Sequence, residues 1–469
     1  MPEEKFKNMP DMSYNDRPNT QPSLNFELYA KELGKIAVKA TTGNEGSFTV
    51  GIFGSWGTGK TTLMRCIEQK LKNFHAEFTT DEFEAHLHNF DATKFKTIWF
   101  NPWKYDDTHG IRNALIQTIL REMAENSQGL VKENCNKLAT RYNATQFTLH
   151  VGEHLLGVLL QSQMYGVNPI EIFKGFTKLG GKGRENQDKN EVNDLNLDLD
   201  RDPYLFINKF ESQFRDVVKE YVGEHGRLVI FIDDLDRCLP ENALTILESL
   251  KLYLDNANCV FFIGLDKRVV EQAVKQRYKD LNVTGKEYIE KMIQLNFFLP
   301  EKNSNQVTQV LQNELNELVA CQPYPIEAQM WRMILAATKG NFRKTKQFII
   351  AWALIRSLAI SLKVADEKMI PKLARILLIQ MNFPELYDAL PTKSYHLIGH
   401  LKEIIDAYSQ STEAAKKALS KYPECKRFLA DSHLFSFLKG NDQDGADYAD
   451  ISDPQDLRKL LQILSQTGR

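Results

Sequence analysis

The sequence lacks the patterns that disulfide frameworks, zinc sites and secretion signals require. Its 469 residues include six cysteines, which lie far apart and form no C-x-x-C pair, so we expect neither a zinc ribbon nor a disulfide scaffold. The first 23 residues are polar and rich in Pro, Asn and Asp, without the apolar stretch of a signal peptide. We interpret residues 1–23 as a mobile arm, and the cysteine usage favours a cytoplasmic protein.

The sequence also lacks an excess of charge of either sign. It has 59 Lys and Arg against 61 Asp and Glu, for a net charge of −2, so no global attraction to nucleic acid or acidic membrane is expected. The modest basic region 416–427 is typical of a solvated face. A nucleic-acid partner is therefore not supported, and a nucleic-acid translocase is the least favoured function because it needs a basic channel.

No apolar run is long enough to span a membrane. The most apolar stretch, Leu155–Leu160, lies between Glu153 and Gln161, whereas a bilayer-spanning helix needs about 20 apolar residues. We predict that Thr145–Phe176 does not cross a membrane, so that membrane contact is at most peripheral.

A glycine-rich turn between an apolar strand and a helix is the most informative feature that is present. Gly54, Gly59, Lys60 and Thr61 match the spacing G-x-x-x-x-G-K-[ST] after the strand Thr49–Phe53. In such a loop, backbone N–H groups surround a phosphate at a helix N-terminus, the lysine reaches the β- and γ-oxygens, and the hydroxyl binds Mg²⁺. The expected nucleotide-binding residues are Gly54, Ser55, Trp56, Gly57, Thr58, Gly59, Lys60, Thr61 and Thr62.

A second apolar strand ends in carboxylates. Five apolar residues precede Asp233, which we expect to hold Mg²⁺ opposite Thr61. Asp234 follows where many ATPases have a glutamate that orients the attacking water, and Asp236 is the alternative base. Because aspartate has a shorter reach than glutamate, we expect slow turnover that suits a switch better than a motor.

Phosphoryl transfer also needs a cation that stabilises the developing charge. The candidates are Arg237, Arg268 and Arg343, although a surface ion pair explains any one of them equally well. Asp266, after another buried strand, could sense the γ-phosphate or could cap a helix. The absence of N-K-x-D after the core strands favours ATP over GTP.

Two histidine pairs have the one-turn spacing that metal sites use, but neither forms H-E-x-x-H. They are His150 with His154 and His396 with His400. No third ligand is evident near either pair, so we do not expect a metal site there.

Strand and helix patterns alternate up to Pro300 and become wholly helical afterwards, which predicts an α/β fold. The expected fold is a P-loop NTPase with a parallel sheet flanked by helices, a helical insertion between the loop and the acidic strand, and an all-helical C-terminal lid and tail. The predicted domains are a core at 24–107 and 227–300, an insertion at 108–226 with a linker near 181–202, a lid at 301–365 and a C-terminal region at 366–469.

Together these segments resemble the KAP P-loop NTPases, which are related to the STAND and AAA-type ATPases. The resemblance covers about Leu24 to Trp352 and includes a helix before the loop, G-x-W-G-x-G-K-[ST], F-N-x-W-x-Y and D-D-L-D-R. Asn341-Phe342-Arg343 is similar to the family's late N-P-R element, with Phe342 in place of proline. Many members insert transmembrane helices between the two phosphate-site motifs, where this chain has its less apolar Thr145–Phe176 segment.

The resemblance implies a bacterial defence ATPase, since family members act in the exclusion of phages and plasmids. We therefore expect a Mg²⁺-dependent ATP switch that forms a homo-oligomer and controls a separate effector protein after an unknown trigger. The alternative is a non-hydrolysing scaffold, stabilised by nucleotide, whose insertion recognises a partner.

Overall fold

The computed structural model describes most of the two regions on either side of the insertion. The described residues are 25–39, 47–73, 95–105, 110–143, 203–223, 226–252, 254–255, 258–277, 284–300, 304–314, 326–364, 366, 368–393, 395–439 and 448–466. The predicted arm 1–23, the segment Thr145–Phe176, the linker near 181–202 and the pair His150 and His154 lie outside these residues.

Within the described residues, five parallel strands form one sheet in the order β2-β3-β4-β1-β5. The strands are β1 (Phe48–Phe53), β2 (Phe95–Phe100), β3 (Arg227–Ile232), β4 (Cys259–Leu265) and β5 (Leu295–Phe298). Every residue of β3 and β4 is buried, as expected for central parallel strands that are covered on both faces. The predicted α/β fold with a parallel sheet is confirmed.

The strand order places the ends of β1 and β3 on either side of β4. β1 and β3 each pair with β4 in parallel, and β2 pairs with the other edge of β3. Side chains that follow these strands therefore lie at one edge of the sheet, where open α/β sheets bind ligands.

The described residues divide into two compact units. The sheet unit comprises the described residues of 26–55 and 60–298, and the helical unit comprises those of 299–469 together with Asn25 and the loop tip Trp56–Gly59. The helices of the sheet unit are Phe26–Lys39, Lys60–Lys72, Ile111–Glu125, 129–143, Pro203–Val222, Pro240–Leu252, Lys267–Arg277 and Gly285–Met292.

The helical unit has one extensive apolar core. Its buried residues run from Val307 to Leu464 and include Trp352 and Leu373, so a single cluster contains residues of both the predicted lid and the predicted tail. The division at residue 365 stays a prediction. The helices are Ser304–Glu314, Ala328–Thr338, Phe342–Ser361, Met369–Asn382, Pro384–Lys393, Leu397–Gln410, Thr412–Lys421, Lys426–Leu429, Ser432–Lys439 and Pro454–Gln466.

None of the helices that the structure describes combines the length and the apolarity that crossing a membrane requires.

Candidate functional site

The glycine-rich turn links the end of β1 to the N-terminus of the helix Lys60–Lys72. The N–H of Gly54 donates to the carbonyl of Leu265 at the end of β4, over 3.2 Å. Gly57 and Gly59 have φ angles of 79° and 102°, which L-residues with a side chain rarely adopt. The loop thus combines two glycines in conformations that other residues rarely adopt with a helix N-terminus, and a helix N-terminus is suited to bind a nucleotide phosphate.

Lys60 is buried, and its ammonium group is held by three oxygens of the same unit. Nζ lies 2.9 Å from Oδ2 of Asp236 and donates to the carbonyls of Gly54 and Ser55 over 3.0 and 3.3 Å. The side chains of Lys60 and Asp236 are 7% and 6% exposed. The sequence predicted both residues for the site but did not predict their ion pair.

Thr61 and Asp233 lie together, as the predicted Mg²⁺ site requires. Asp233 follows β3, its backbone N–H donates to the carbonyl of Phe100 over 3.0 Å, and its carboxylate accepts a hydrogen bond from Thr61. Burial, followed by the charge of Asp234, raises the pKa of Asp233, although Thr61 and Lys60 act to lower it. A buried carboxylate beside a hydroxyl is a suitable donor set for Mg²⁺.

Gly264 on β4 leaves space for this carboxylate. A Cβ at position 264 would lie 3.3 Å from Oδ1 of Asp233 and 2.9 Å from the terminal methyl of Met64. A side chain there would therefore crowd the site from the neighbouring strand.

Asp234 is held in a left-handed backbone conformation by side-chain contacts on both carboxylate oxygens. Its φ and ψ angles are 58° and 29°, Oδ2 accepts from Nδ2 of Asn101 over 3.0 Å, and Oδ1 lies 2.7 Å from Nε of Arg237. Asn101 in turn accepts from the backbone N–H of Trp103. Predicted catalytic residues Asp234 and Arg237 are thus an ion pair in this structure.

Asn101 was not among the residues predicted for the site. The sequence pointed to its F-N-x-W-x-Y segment through the family resemblance and not through a chemical role. The pairing of the strands explains its place in the site, because Phe100 lies opposite Ile232 across the β2 and β3 pair, which puts Asn101 opposite the carboxylates that follow β3.

Asp266 and Arg268 form a local pair at the start of the helix Lys267–Arg277. The guanidinium of Arg268 donates to both oxygens of Asp266 over 3.1 and 2.7 Å, and its backbone N–H donates to Oδ1 over 3.0 Å. Burial acts to raise the pKa of Asp266, but the hydrogen bonds from Arg268 produce a net lowering. This geometry serves the capping role that the sequence left open beside γ-phosphate sensing.

Arg343 lies in the helical unit, where it contacts the loop tip. Its guanidinium carbon is 4.6 Å from the ring centroid of Trp56, a cation–π distance. The adjacent Asn341 caps the helix Phe342–Ser361 by accepting from the N–H of Lys344, and it also donates to the carbonyl of Trp56. The N-P-R-like element thus contacts the G-x-W-G segment of the loop.

The remaining candidate clusters have ordinary structural partners. His400 stacks on Tyr422 with 3.9 Å between ring centroids and has Nδ1 3.3 Å from Glu424. Within the described ranges, no group of three or more His, Cys, Asp or Glu side chains could hold a metal ion. In the basic region, Lys421 pairs with Glu403.

Comparisons with known proteins give a family match over most of the chain. The sequence model described as the KAP family P-loop domain matches residues 26–359. An uncharacterized protein of Methanocaldococcus jannaschii is 22% identical over 187 residues, which cover 36% of this chain and 88% of that protein.

Two solved structures of Aeropyrum pernix proteins match the chain at low identity and with low TM-scores. The ORC2 protein in its ADPNP-ADP complexes has a TM-score of 0.35 at 12% identity, over 96% of this chain and 97% of that chain. The ORC1 protein in complex with DNA has a TM-score of 0.33 at 11% identity, over 98% and 86%. Because the family match spans more than half of the sequence and includes both the glycine-rich loop and the acidic end of β3, the chain belongs to the KAP family of P-loop domains.

Proposed function

We propose that this P-loop protein is a Mg²⁺-dependent ATPase switch that self-associates and controls a separate effector. The observation that carries the proposal is the meeting of Lys60, Thr61 and Asp233 at the ends of β1 and β3, beside a glycine-rich loop in which Gly57 and Gly59 have positive φ angles. These residues supply a cation for phosphate and a hydroxyl with a carboxylate for the metal.

Each side chain has a distinct role in the proposed cycle. Lys60 holds a phosphate oxygen, Thr61 and Asp233 hold the metal, and Asp234 orients the attacking water. Bound Mg²⁺ neutralises phosphate charge and thereby favours attack by water. For Asp234 to act, its contacts with Asn101 and Arg237 must rearrange, which supports a gated and slow cycle.

Self-association and control of an effector in anti-phage defence are proposed from the family resemblance. The cation that stabilises the transferred phosphoryl group is proposed to be Arg343 or Arg237. Arg343 is favoured because it contacts the loop tip through Trp56.

The test compares the wild-type protein with Lys60→Ala and Asp234→Asn. We expect Lys60→Ala to lose ATP binding, and Asp234→Asn to keep binding while ATP turnover falls by about 100-fold or more. Turnover is measured by phosphate release, and mass is measured by light scattering with and without ATP. Hydrolysis and assembly that are unchanged in both variants would overturn the proposal.

The second candidate function is a nucleotide-stabilised scaffold without turnover. It is favoured by the fact that both oxygens of Asp234 are engaged by protein groups. A scaffold is expected to bind ATP tightly and to release no phosphate at any Mg²⁺ concentration. Its capture of a partner should be the same in the wild type and in Asp234→Asn. Loss of partner capture in Asp234→Asn would exclude it.

A further inference from the structure

The contacts of Lys60 use the full donor capacity of its side chain. A lysine ammonium has three N–H donors, and Nζ has three oxygens within 3.3 Å, from Asp236, Gly54 and Ser55. The two carbonyls belong to the loop itself and can remain in place when phosphate binds. Asp236 supplies the only anionic oxygen among these contacts.

The carboxylate of Asp236 is only half satisfied in this position. Its side chain is 6% exposed, and its Oδ1 atom has no hydrogen-bond partner among the residues that the structure describes. A buried carboxylate with an unpaired oxygen is unfavourable. An anion whose oxygens find more hydrogen-bond donors at this site can therefore displace Asp236 from Lys60.

The backbone after β3 places Asp236 on Lys60 and keeps Asp234 away from it. The left-handed conformation of Asp234 starts the 3₁₀ turn Leu235–Arg237. The buried Leu235 anchors this turn, with Asp234 directed to Asn101 and Asp236 directed to Lys60. The two carboxylates therefore have separate partners and separate roles.

We propose that Asp236 determines nucleotide affinity as a resident anion of Lys60, and that a nucleotide phosphate binds by replacing its carboxylate. This inference rests on the proposed function, because it concerns the same phosphate site. It assigns Asp236 a role in binding and release in place of that of a general base. Because the phosphate must compete with the Asp236 carboxylate for Lys60, nucleotide affinity is lower and product release is easier.

The primary test measures ADP affinity without metal, so that phosphate exchange is separated from Mg²⁺ coordination. In EDTA, Asp236→Asn is expected to bind ADP about tenfold tighter than the wild type or more, because a neutral amide competes poorly for Lys60. The matched control is Glu68→Gln, which removes one charge from the helix of Lys60 at a residue that pairs with Arg65 and Lys72. Its ADP affinity is expected to stay within about twofold of the wild type.

The outcomes separate this inference from the proposed function. A wild-type protein that does not bind ADP contradicts both. A wild-type protein that binds ADP, with Asp236→Asn binding equally or more weakly, overturns the inference and leaves the proposed function standing. An equal increase in the ADP affinity of Glu68→Gln also overturns the inference, because the increase would then follow from the loss of any negative charge near the site.

A second measurement uses the wild-type protein and does not depend on the folding of a variant. Displacement of Asp236 should loosen the turn, whose N–H groups at Arg237 and Cys238 donate to the carbonyls of Asp234 and Leu235. We therefore expect ADP in EDTA to speed amide exchange in a peptide spanning 235–239 while it slows exchange in a peptide spanning 54–62. Slower or unchanged amide hydrogen exchange in the peptide 235–239 would contradict the replacement of Asp236 by phosphate.

Discussion

At the residue scale, two consecutive carboxylates have different surroundings and therefore different expected chemistry. Asp233 is buried beside the hydroxyl of Thr61, and its pKa is raised by burial and by the charge of Asp234. Asp234 is held by Asn101 and Arg237 on the other side of the turn. Asp233 is thus suited to bind a metal, and Asp234 is suited to act on water once its contacts with Asn101 and Arg237 have broken.

Asp233→Asn is expected to stabilise the metal-free protein at neutral pH. Because the pKa of Asp233 is higher in the folded protein than in the unfolded chain, ionised Asp233 destabilises the fold above its folded pKa, and this penalty disappears as pH falls to the ordinary aspartate range. The measurement is the free energy of unfolding between pH 7 and pH 4 in EDTA, where we expect the advantage of the variant to shrink as pH falls.

Glu68→Gln is the control of opposite sign. Burial acts to raise the pKa of Glu68, but its contacts with Lys72, Trp99 and Arg65 give a net lowering. This variant should therefore be less stable than the wild type at pH 7, with the difference lost as pH falls. An Asp233→Asn protein that is less stable than the wild type at pH 7 would contradict the view that burial disfavours the ionised form of Asp233 in the metal-free protein.

At the element scale, the apolar runs predicted β3 and β4 well because both strands are buried on each face. The edge strand β5 is short, at Leu295–Phe298, because the backbone N–H of Ile293 still donates to the carbonyl of Ile289 in the preceding helix. The short helices Thr412–Lys421 and Ser432–Lys439 were not predicted. They have ten and eight residues, which is shorter than the window over which helical periodicity is read from a sequence.

Gly57→Ala is expected to lower the stability of the protein by more than the cost of placing an L-residue at a positive φ angle. Its φ angle is 79°, and an added Cβ would lie 2.6 Å from Oδ1 of Asn341 and 3.0 Å from Cβ of Arg343. We expect a loss of stability of about 2 kcal/mol or more, from backbone strain with a steric clash, and a loss of ADP affinity. Unfolding by urea and ADP titration provide the two measurements.

Gly129→Ala is the matched control for the backbone term. Gly129 has a φ angle of 60°, and nothing lies within 4 Å of its Cβ position. Its replacement should lower stability by about 1 kcal/mol and leave ADP affinity unchanged. Equal effects of the two substitutions on both measurements would show that the contact at the loop tip is unimportant.

At the scale of the whole molecule, the residues that the structure describes form two apolar cores. The first surrounds the sheet and includes Ile230 and Phe261, and the second includes Trp352 and Leu373 in the helical unit. Alternation of strand and helix patterns predicted the parallel sheet of the first, and helical periodicity predicted the helical character of the second but not that one core includes both the predicted lid and the predicted tail. The order of the strands, the left-handed Asp234 and the pair between Lys60 and Asp236 were not predictable, because they depend on contacts between residues far apart in the sequence.

The measurement that tests the account most directly is calorimetric titration of the full chain with ADP and ATP, with and without Mg²⁺. We predict that the wild type binds both nucleotides, that Mg²⁺ strengthens ATP binding, and that Lys60→Ala lowers affinity by about 100-fold or more. Lys35→Ala is the control, since Lys35 pairs with Glu32 on the helix Phe26–Lys39, and this variant should bind nucleotide as the wild type does. Binding that is equal in the wild type and Lys60→Ala, or absent from the folded wild type, would contradict the assignment of this loop as a nucleotide site.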